Sequence, residues 1–355
     1  MSMIQISKRQ KGTSKLVDVL IRIGAIVLSL IFIGIVLAIM GYDPFQVYGK
    51  IVQTPFKRFK DVMNKTIMLT TLSLGIAIAF RMKFWNIGAE GQFYMGAFGA
   101  ASMAFMCPDL PPILLLPLMA IAGFVCGGLW ALIPAVIKAK FGASETLVTL
   151  MMNYVAIAFI SYLQYGPWKD PAALGAAKVP NFSENAVLPD VLGIHAGWII
   201  TLVLVAIMTI LLKYTKLGYQ IDVIGESETT AKYAGMNTVK IMIIAVLISG
   251  GLCGMAGFMQ ASAVERSITD SMSAGLGFTA VITAWLAKLK PPVVVVASFM
   301  FSILLQSGSS LQVMKIPSSI TEIMQGVIIF FVLACEFFIN YKISLRKHNA
   351  VKEAE

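Results

Sequence analysis

Charged residues are scarce in this chain: they make up 13% of its 355 residues, while hydrophobic residues make up 58%. Soluble domains average about a quarter charged residues, and the mean hydropathy here is +0.82. The composition therefore excludes an ordinary soluble domain and predicts a polytopic, all-α membrane protein.

Residues that build metal, redox and catalytic centres are also few. His195 and His348 are the only histidines and are far apart in sequence, which argues against a histidine-based metal or haem site. The cysteines have no C-x-x-C spacing and are predicted to be small core residues: Cys107, Cys126, Cys253 and Cys335. The chain has no G-x-x-x-x-G-K-[S/T] phosphate loop and no intramembrane nucleophile–base set, so we expect no enzyme, no metal site and no bound cofactor.

Basic residues outnumber acidic ones, which gives a formal net charge of +10. No aromatic residues are interleaved with them in the way that nucleic-acid binding requires, so no nucleic-acid partner is predicted. Many of them lie between apolar runs, as expected for loops on the cytoplasmic side of a bilayer. The basic ends, Lys8–Lys15 and Lys342–Lys352, predict that both termini are cytoplasmic, in a multi-pass protein of the cell membrane.

About ten apolar runs are predicted to cross the lipid bilayer. They are Val19–Met40, Thr66–Phe80, Gly91–Met106, Leu114–Val136, Leu147–Tyr165, Gly197–Leu212, Ile241–Ala263, Gly277–Ala287, Val293–Leu305 and Ile320–Asn340. Spans two to five and seven to ten would have opposite orientations, which predicts an inverted repeat of the kind that transporters use. Residues 1–18 and 341–355 are predicted to be cytoplasmic tails of a single membrane domain, 19–340.

One segment conflicts with this topology. Gly41–Lys65 is predicted to be external, yet it is rich in lysine. The spacing of its aromatic residues predicts an amphipathic helix on the outer face, kinked at Pro55. The alternative is that the first span is miscounted. The longest external loop, Gly166–Ala196, has almost no helical periodicity and is predicted to cap the outer mouth or meet a partner.

A polar stretch, Phe80–Gly99, separates two apolar runs that are short for membrane helices of about 20 residues. It contains Asn86, Glu90 and Gln92. A carboxylate at the bilayer centre costs about 2.5–3.5 kcal/mol, so Glu90 requires a compensating role. We interpret the stretch as a broken helix whose polar turn faces a translocation path. The alternative is an ordinary cytoplasmic loop after Arg81, with Glu90 in water.

A second informative segment, Lys216–Lys240, follows the sixth span. Ser227 is predicted to cap a short helix, Glu228–Ala234, that ends at Gly235. A helix this short needs support, either from the protein's own spans or from a groove in a second protein. The alternative is a plain connection between two spans.

Glycines recur at four-residue spacing in two of the predicted spans. Gly123 and Gly127 form one small-xxx-small face, and Gly250 and Gly254 form another. Such faces allow helices to pack closely in lipid, so we predict a structural role for both.

Three pieces occur in a specific order along the chain. They are Asn86–Gln92 (NIGAEGQ), then Gly225 followed by Ala231–Gly235 (AKYAG), then Ser249–Gly257 (SGGLCGMAG). Together they resemble the ABC importer permeases of the branched-chain amino acid/ribose-type family, over roughly Thr66 to Phe338. Trp85–Gln92 and the Glu145–Tyr154 stretch are similar to the nucleoside-uptake branch, in which phenylalanine is usual at the position of Trp85.

The resemblance implies a permease domain with a coupling helix, within segment 217–238, that docks on an ABC ATP-binding subunit. ATP and Mg²⁺ would be bound by that subunit. A second permease subunit, either a paralogue or a copy of this chain, and an extracytoplasmic substrate-binding lipoprotein are further implied partners. The coupling residues implied are Gly225, Glu226, Ala231, Tyr233, Ala234, Gly235 and Met236.

The same resemblance implies that the permease imports nucleosides. Trp85 is predicted to stack on a base, and Asn86, Glu90, Gln92 and Asn153 to offer hydrogen bonds to the base or ribose. Interhelical contact for Asn153 and helix capping or packing for Glu90 stay open as alternatives. A permease for ribose or another simple sugar is the alternative within the family, and an ion-coupled secondary transporter is the alternative from another class.

Overall fold

The computed structural model describes residues 3–8, 15–171, 173, 177–312 and 316–346. The chain forms two compact units, of which one comprises Met1–Lys57 with Leu304–Glu355 and the other comprises Arg58–Ile303. The described helices are α1 (Lys15–Ile39), α2 (Pro44–Lys57), α3 (Phe59–Arg81), α4 (Ala89–Met106), α5 (Pro112–Phe141), α6 (Glu145–Tyr165), α7 (Gly197–Tyr214), α8 (Lys216–Glu226), α9 (Glu228–Tyr233), α10 (Thr238–Met259), α11 (Leu276–Leu286), α12 (Pro291–Gln312) and α13 (Ser318–Asn340). The described strands are β1 (Met3–Lys8), β2 (Asp190–Val191), β3 (Ile194–His195) and β4 (Tyr341–Arg346).

Each predicted span overlaps one of these helices. Within the described residues, six helical segments are long and apolar enough to cross a membrane: Phe59–Arg81, Pro112–Phe141, Glu145–Tyr165, Gly197–Tyr214, Thr238–Glu265 and Pro291–Gln312. The multi-pass helical architecture is confirmed. Crossing by all ten runs, and the inverted repeat, stay predictions.

The helices on either side of the polar stretch are longer than predicted. α3 has 23 residues and begins at Phe59, seven residues before the predicted start at Thr66, and α4 has 18 residues. The prediction that both runs are too short for membrane helices is therefore wrong for α3. Its first turns carry Lys60, Asp61 and Lys65, whose charges hid the continuation of the helix from a hydropathy reading.

α3 and α10 form the centre of the 58–303 unit. In the most apolar 18 residues of α3, 83% are buried, against 28% for α5 and for α6. α10 packs against α3, α4 and α5. The two predicted glycine faces, Gly123/Gly127 on α5 and Gly250/Gly254 on α10, form the contact between these helices, as expected. A Cβ on Gly127 would lie 2.5 Å from the Gly250 carbonyl oxygen and 2.7 Å from the Gly254 Cα, so the two backbones touch directly.

The other unit pairs the two ends of the chain. α1 packs on α13, and β1 forms an antiparallel ladder with β4 in which Met3 faces Arg346. Neither strand was predicted, because both ends were described only as tails, whereas the rest of the described chain is almost entirely helical, as predicted. α1 also begins at Lys15 rather than at Val19, the predicted start of the first span. The adjacent ends agree with a prediction that both termini share one side, while a cytoplasmic location stays a prediction.

The predicted amphipathic helix in the first loop is present as α2. Val47 and Thr54 are buried, whereas Phe45, Val52 and Phe56 are exposed. Pro55 lies within the last turn of the helix, and its end is followed at once by α3. Its placement on the outer face stays a prediction.

The described residues of the loop Gly166–Ala196 are largely irregular, as predicted. A short 3₁₀ turn, Glu184–Ala186, precedes the β2–β3 hairpin, and Lys60 forms a 2.6 Å ion pair with Asp190 at the hairpin. His195 is buried beside this pair, and its Nδ1 accepts a hydrogen bond from the Gly197 amide at 3.1 Å. Its Nε2 has no hydrogen-bond partner among the described residues.

This burial predicts acid sensitivity of the hairpin. Burial lowers the pKa of His195 from 6.5 to about 4; Asp190 opposes the shift and Lys60 adds to it. The folded state therefore binds a proton less readily than the unfolded state, so the stabilisation is complete above about pH 6.5 and is lost as pH falls towards 4. Proteolysis of the loop in purified protein should accelerate over that interval. His195→Asn should flatten this dependence; an unchanged pH profile in the variant would contradict the assignment to His195.

Candidate functional site

The turn between α3 and α4 is fixed by the amide side chain of Asn86. Its Oδ1 accepts hydrogen bonds from the Gly88 amide at 3.0 Å and from Gln92 Nε2 at 2.9 Å. Its Nδ2 donates to Gln92 Oε1 and to the Ser249 hydroxyl on α10, both at 3.1 Å. Asn86 is fully buried and its hydrogen-bonding capacity is met by protein atoms.

α6 holds the same turn from the other side. Asn153 accepts a 2.8 Å hydrogen bond from the Gly91 amide through Oδ1 and donates a 2.9 Å bond to the Ile87 carbonyl through Nδ2. Thr149 Oγ1, one helical turn earlier, accepts from the Ile87 amide at 3.2 Å. The start of α4 is thereby tied to α6 as well as to α10.

Glu90 is buried at the beginning of α11, far away in sequence. Its Oε2 accepts a 2.7 Å hydrogen bond from the Gly277 amide, in the first turn of that helix. The first amides of a helix have no partner within the helix, so a carboxylate there satisfies a donor and complements the helix dipole. A Cβ on Gly277 would lie 2.5 Å from the Glu90 amide nitrogen, so the two backbones are also in close contact.

The irregular segment 266–275 that leads into α11 is held by polar side chains that the sequence analysis did not single out. Tyr94 on α4 donates from its hydroxyl to the Asp270 carbonyl at 2.7 Å. Ser161 donates to the Asp270 carboxylate at 2.7 Å, and Gln164 Oε1 accepts from the Asp270 amide at 2.9 Å. Gln260 donates to the Met272 carbonyl at 3.3 Å. This polar support resembles the way in which irregular backbone is satisfied at membrane depth.

Two tryptophans stack beside the turn. The rings of Trp85 and Trp285 lie 5.6 Å apart between centroids and 20° apart in plane, and Phe80 packs tilted against both. Trp85 is 41% exposed and Trp285 is 42% exposed, so the pair presents a large aromatic face. Trp285 was missed in the sequence because nothing in its local pattern indicates that the end of α11 meets the α3–α4 turn.

The site has no recognisable metal or redox centre in the part of the chain that the structure describes. No cluster of three or more histidine, cysteine, aspartate or glutamate side chains with ligand geometry occurs among these residues. None of the four cysteines forms a disulfide within the described residues.

The segment predicted to couple forms two short helices joined by a single residue. Ser227 ends α8 and begins α9, and its Oγ accepts a 3.2 Å hydrogen bond from the Thr230 amide, so the predicted cap is confirmed. Gly235 has a φ of +76°, as expected for a glycine that ends a helix. The short helix ends at Tyr233, one residue before the predicted end.

The predicted coupling residues divide into two sets by burial. Tyr233 is 93% exposed, and Glu226, Ala234 and Gly235 are also exposed, whereas Met236 is half-buried. Gly225 and Ala231 are buried against the rest of the 58–303 unit. The exposed residues, Glu226, Tyr233, Ala234 and Gly235, are accessible to another protein in this structure. Docking itself stays a prediction.

Comparison with known proteins identifies the family. The family model described as "Branched-chain amino acid transport system / permease component" matches residues 59–333. This chain belongs to that family. The match covers the 58–303 unit and continues into α13, so both the α3–α4 turn and the α8–α9 segment lie inside it.

Individual permeases of known designation are similar over nearly the whole chain. The Glucose ABC transporter permease protein TsgB13 of Haloferax volcanii is 29% identical, over 88% of this chain and 86% of the relative. The Nucleoside ABC transporter permease protein NupB of Lactococcus lactis is 27% identical, over 95% and 96%. The Guanosine ABC transporter permease protein NupP of Bacillus subtilis is 28% identical, over 90% and 94%.

Family membership fixes the general role of the permease. It is a multi-pass membrane subunit of an ABC importer, and ATP hydrolysis takes place in a separate ATP-binding subunit, so this chain is not an enzyme. An ATP-binding subunit and a substrate-binding protein are its partners. The predicted substrate residues Trp85, Asn86, Glu90, Gln92 and Asn153 do lie together, but the last four direct polar atoms into the protein; their contact with substrate stays a prediction.

Proposed function

We propose that this permease imports nucleosides, as one of two permease subunits that enclose the path, with both termini and the α8–α9 segment in the cytoplasm. The observation that carries the substrate class is the stacked pair of Trp85 and Trp285. Stacking of a base on an aromatic side chain contributes about 1–3 kcal/mol and requires no particular base. Relatives designated as nucleoside and guanosine permeases support the same class.

In this proposal the buried amides act on the substrate through the turn. Asn86, Gln92 and Asn153 hold Trp85 in position, and Glu90 holds the beginning of α11, whose last turns carry Trp285. The two tryptophans therefore belong to separate elements, each anchored by buried hydrogen bonds. A rotation of either element would separate the rings and release a base bound beside them.

A sugar is the second candidate substrate. The relative TsgB13 is designated a glucose permease and is as similar to this chain as the nucleoside permeases are. The two candidates are separated by uptake of radiolabelled nucleoside into cells that carry the permease with its ATP-binding subunit and substrate-binding protein. Unlabelled nucleosides should compete, whereas glucose, ribose and branched-chain amino acids should not. Uptake of radiolabelled glucose without uptake of radiolabelled nucleoside would transfer the assignment to sugars.

The tryptophan pair gives a specific prediction about affinity. Trp285→Ala should raise the KM for nucleoside uptake about tenfold, because the base loses one stacking partner. Trp285→Phe keeps an aromatic face and should change KM less than about threefold. KM is to be measured at equal amounts of membrane-inserted permease. An unchanged KM in Trp285→Ala would remove this residue from the substrate site.

A further inference from the structure

Gly225, near the end of α8, touches the backbone at the end of α3. A Cβ at this position would overlap the carbonyl oxygen of Arg81 and would lie 3.5 Å from the Cα of Met82. Gly225 is not among the residues with positive φ, so its backbone conformation is open to any residue. Glycine is required here by the approach of the two backbones, and not by its conformational freedom.

Side chains reinforce this contact on both sides. Arg81 Nη1 lies 3.4 Å from the Asp222 carboxylate, one turn before Gly225 on α8. Lys83 Nζ donates to the Glu226 carbonyl at 3.5 Å. α8 therefore contacts the end of α3 and the residues just after it at three successive positions. The contact at Gly225, between the other two, is made directly between main chains.

The contact of Gly225 with Arg81 lies between the α8–α9 segment, which is predicted to couple, and Trp85, which is proposed to stack on the substrate. On one side, only Ser227 separates α8 from α9, and the Ser227 amide donates to the Val223 carbonyl while its hydroxyl caps α9. α8 and α9 are thus linked without a flexible connection. On the other side, three residues separate Arg81 from Trp85.

The chain between Arg81 and Trp85 is too tightly hydrogen-bonded to absorb a displacement. The Lys83 amide donates to the Phe80 carbonyl at 2.9 Å, and the Phe84 amide donates to the Ala79 carbonyl at 3.1 Å. Lys83 adopts a φ of +57°, which fixes a sharp reversal of the chain. Beyond it, the Glu145 carboxylate accepts from the Trp85 amide at 3.4 Å and holds the Lys138 ammonium at 2.7 Å.

We propose that α8 transmits movement of the coupling segment to Trp85 through the contact of Gly225 with the Arg81 backbone and the ion pair of Arg81 with Asp222. This inference rests on the proposed importer function and on the coupling role predicted for the α8–α9 segment, and it extends that role to an internal relay. Exposed residues such as Tyr233 meet the ATP-binding subunit, and the buried Gly225 passes the movement on. Gly225 is thus a positioning residue and touches neither substrate nor partner.

The test uses the complete transporter, with its ATP-binding subunit and substrate-binding protein, in lipid vesicles. Gly225→Ala should reduce the nucleoside transported per ATP hydrolysed by at least about fivefold, the lower end of typical coupling between sites. The ATP-binding subunit should still copurify with the variant. Gly49→Ala is the matched control, because a Cβ there has no neighbour within 4 Å, and it should transport normally.

A second pair of variants addresses the ion pair without adding bulk at the contact. Asp222→Arg places two cations together and should lower coupling in the same way, and Arg81→Asp in the same chain should restore it. A purely structural role would lower the yield of folded Asp222→Arg protein, whereas the relay predicts lowered coupling at a normal yield. Failure of the exchange to restore coupling would count against the relay.

Thiol labelling at position 85 tests the relay without depending on the identity of the substrate. Trp85→Cys, in a chain without its native cysteines, is labelled by a thiol reagent before and after trapping with ATP and vanadate. The labelling rate should differ between the two states in the parent and become equal in Gly225→Ala. An equal rate in the parent, a persistent difference in the variant, or loss of the ATP-binding subunit from the variant would each overturn the relay. Absence of nucleoside uptake together with the expected labelling would overturn only the substrate assignment.

Discussion

Replacing Gly254 with alanine is expected to prevent assembly of the folded permease. A Cβ on Gly254 would overlap the Gly123 carbonyl oxygen and lie 3.0 Å from the Gly127 Cα. All these atoms belong to main chain in the centre of the 58–303 unit, so no side chain can rotate away. Overpacking a tight core typically costs about 1–3 kcal/mol, and a clash between rigid backbones belongs at or above the upper end. The yield of monodisperse protein in detergent and its melting temperature measure the effect.

Gly326→Ala is the matched control for this substitution. Gly326 lies in α13, and a Cβ there has no neighbour within 4 Å. Its replacement should leave the yield and the melting temperature unchanged. A melting temperature of Gly254→Ala within about 2 °C of the parent would mean that α5 and α10 do not pack as the structure describes.

Asn86→Ala is expected to lower stability strongly and to change the substrate affinity of the surviving protein only modestly, through the position of Trp85. The substitution leaves the Gln92 amide, the Ser249 hydroxyl and the Gly88 amide without the partner that Asn86 provides. A buried polar group that loses its partner costs about 1–3 kcal/mol. Thermal unfolding measures the loss, and the KM for uptake is compared at equal amounts of folded protein.

The outcome separates the substrate contact that the sequence predicts for Asn86 from the internal hydrogen bonding that the structure shows. Asn181→Ala, at an exposed position, is the control for the loss of an asparagine side chain and should have little effect. A normal melting temperature combined with a KM raised tenfold or more would contradict the internal role. Asn86 would then contact the substrate directly, as the sequence analysis predicts.

Local sequence patterns predicted the elements that depend on local rules. The cap at Ser227, the glycine at 235 and the paired small faces around Gly254 each follow from one short motif and appear in the structure. The start of α3 was placed too late because Lys60 and Lys65 interrupt the hydropathy signal within a continuous helix. Charge near the end of a membrane helix misleads a reading based on apolar runs alone.

Features that depend on distant contacts could not be predicted in the same way. The pairing of β1 with β4 joins the two ends of the chain, and the stacking of Trp285 on Trp85 joins residues 200 positions apart. The motif with Gly225 was associated with docking on a partner, yet its glycine faces Arg81 within the same chain. A motif identifies which residues matter, while the direction that each one faces requires the tertiary structure.

The central claim is that this permease belongs to an importer that moves nucleosides at the expense of ATP. The most direct measurement is radiolabelled nucleoside uptake in cells with the complete transporter, compared with cells whose ATP-binding subunit cannot hydrolyse ATP, each with and without a protonophore. We expect uptake to disappear with the inactive ATP-binding subunit and to persist with the protonophore while cellular ATP is maintained. Uptake that is indifferent to the ATP-binding subunit and abolished by the protonophore would contradict the account and favour an ion-coupled transporter.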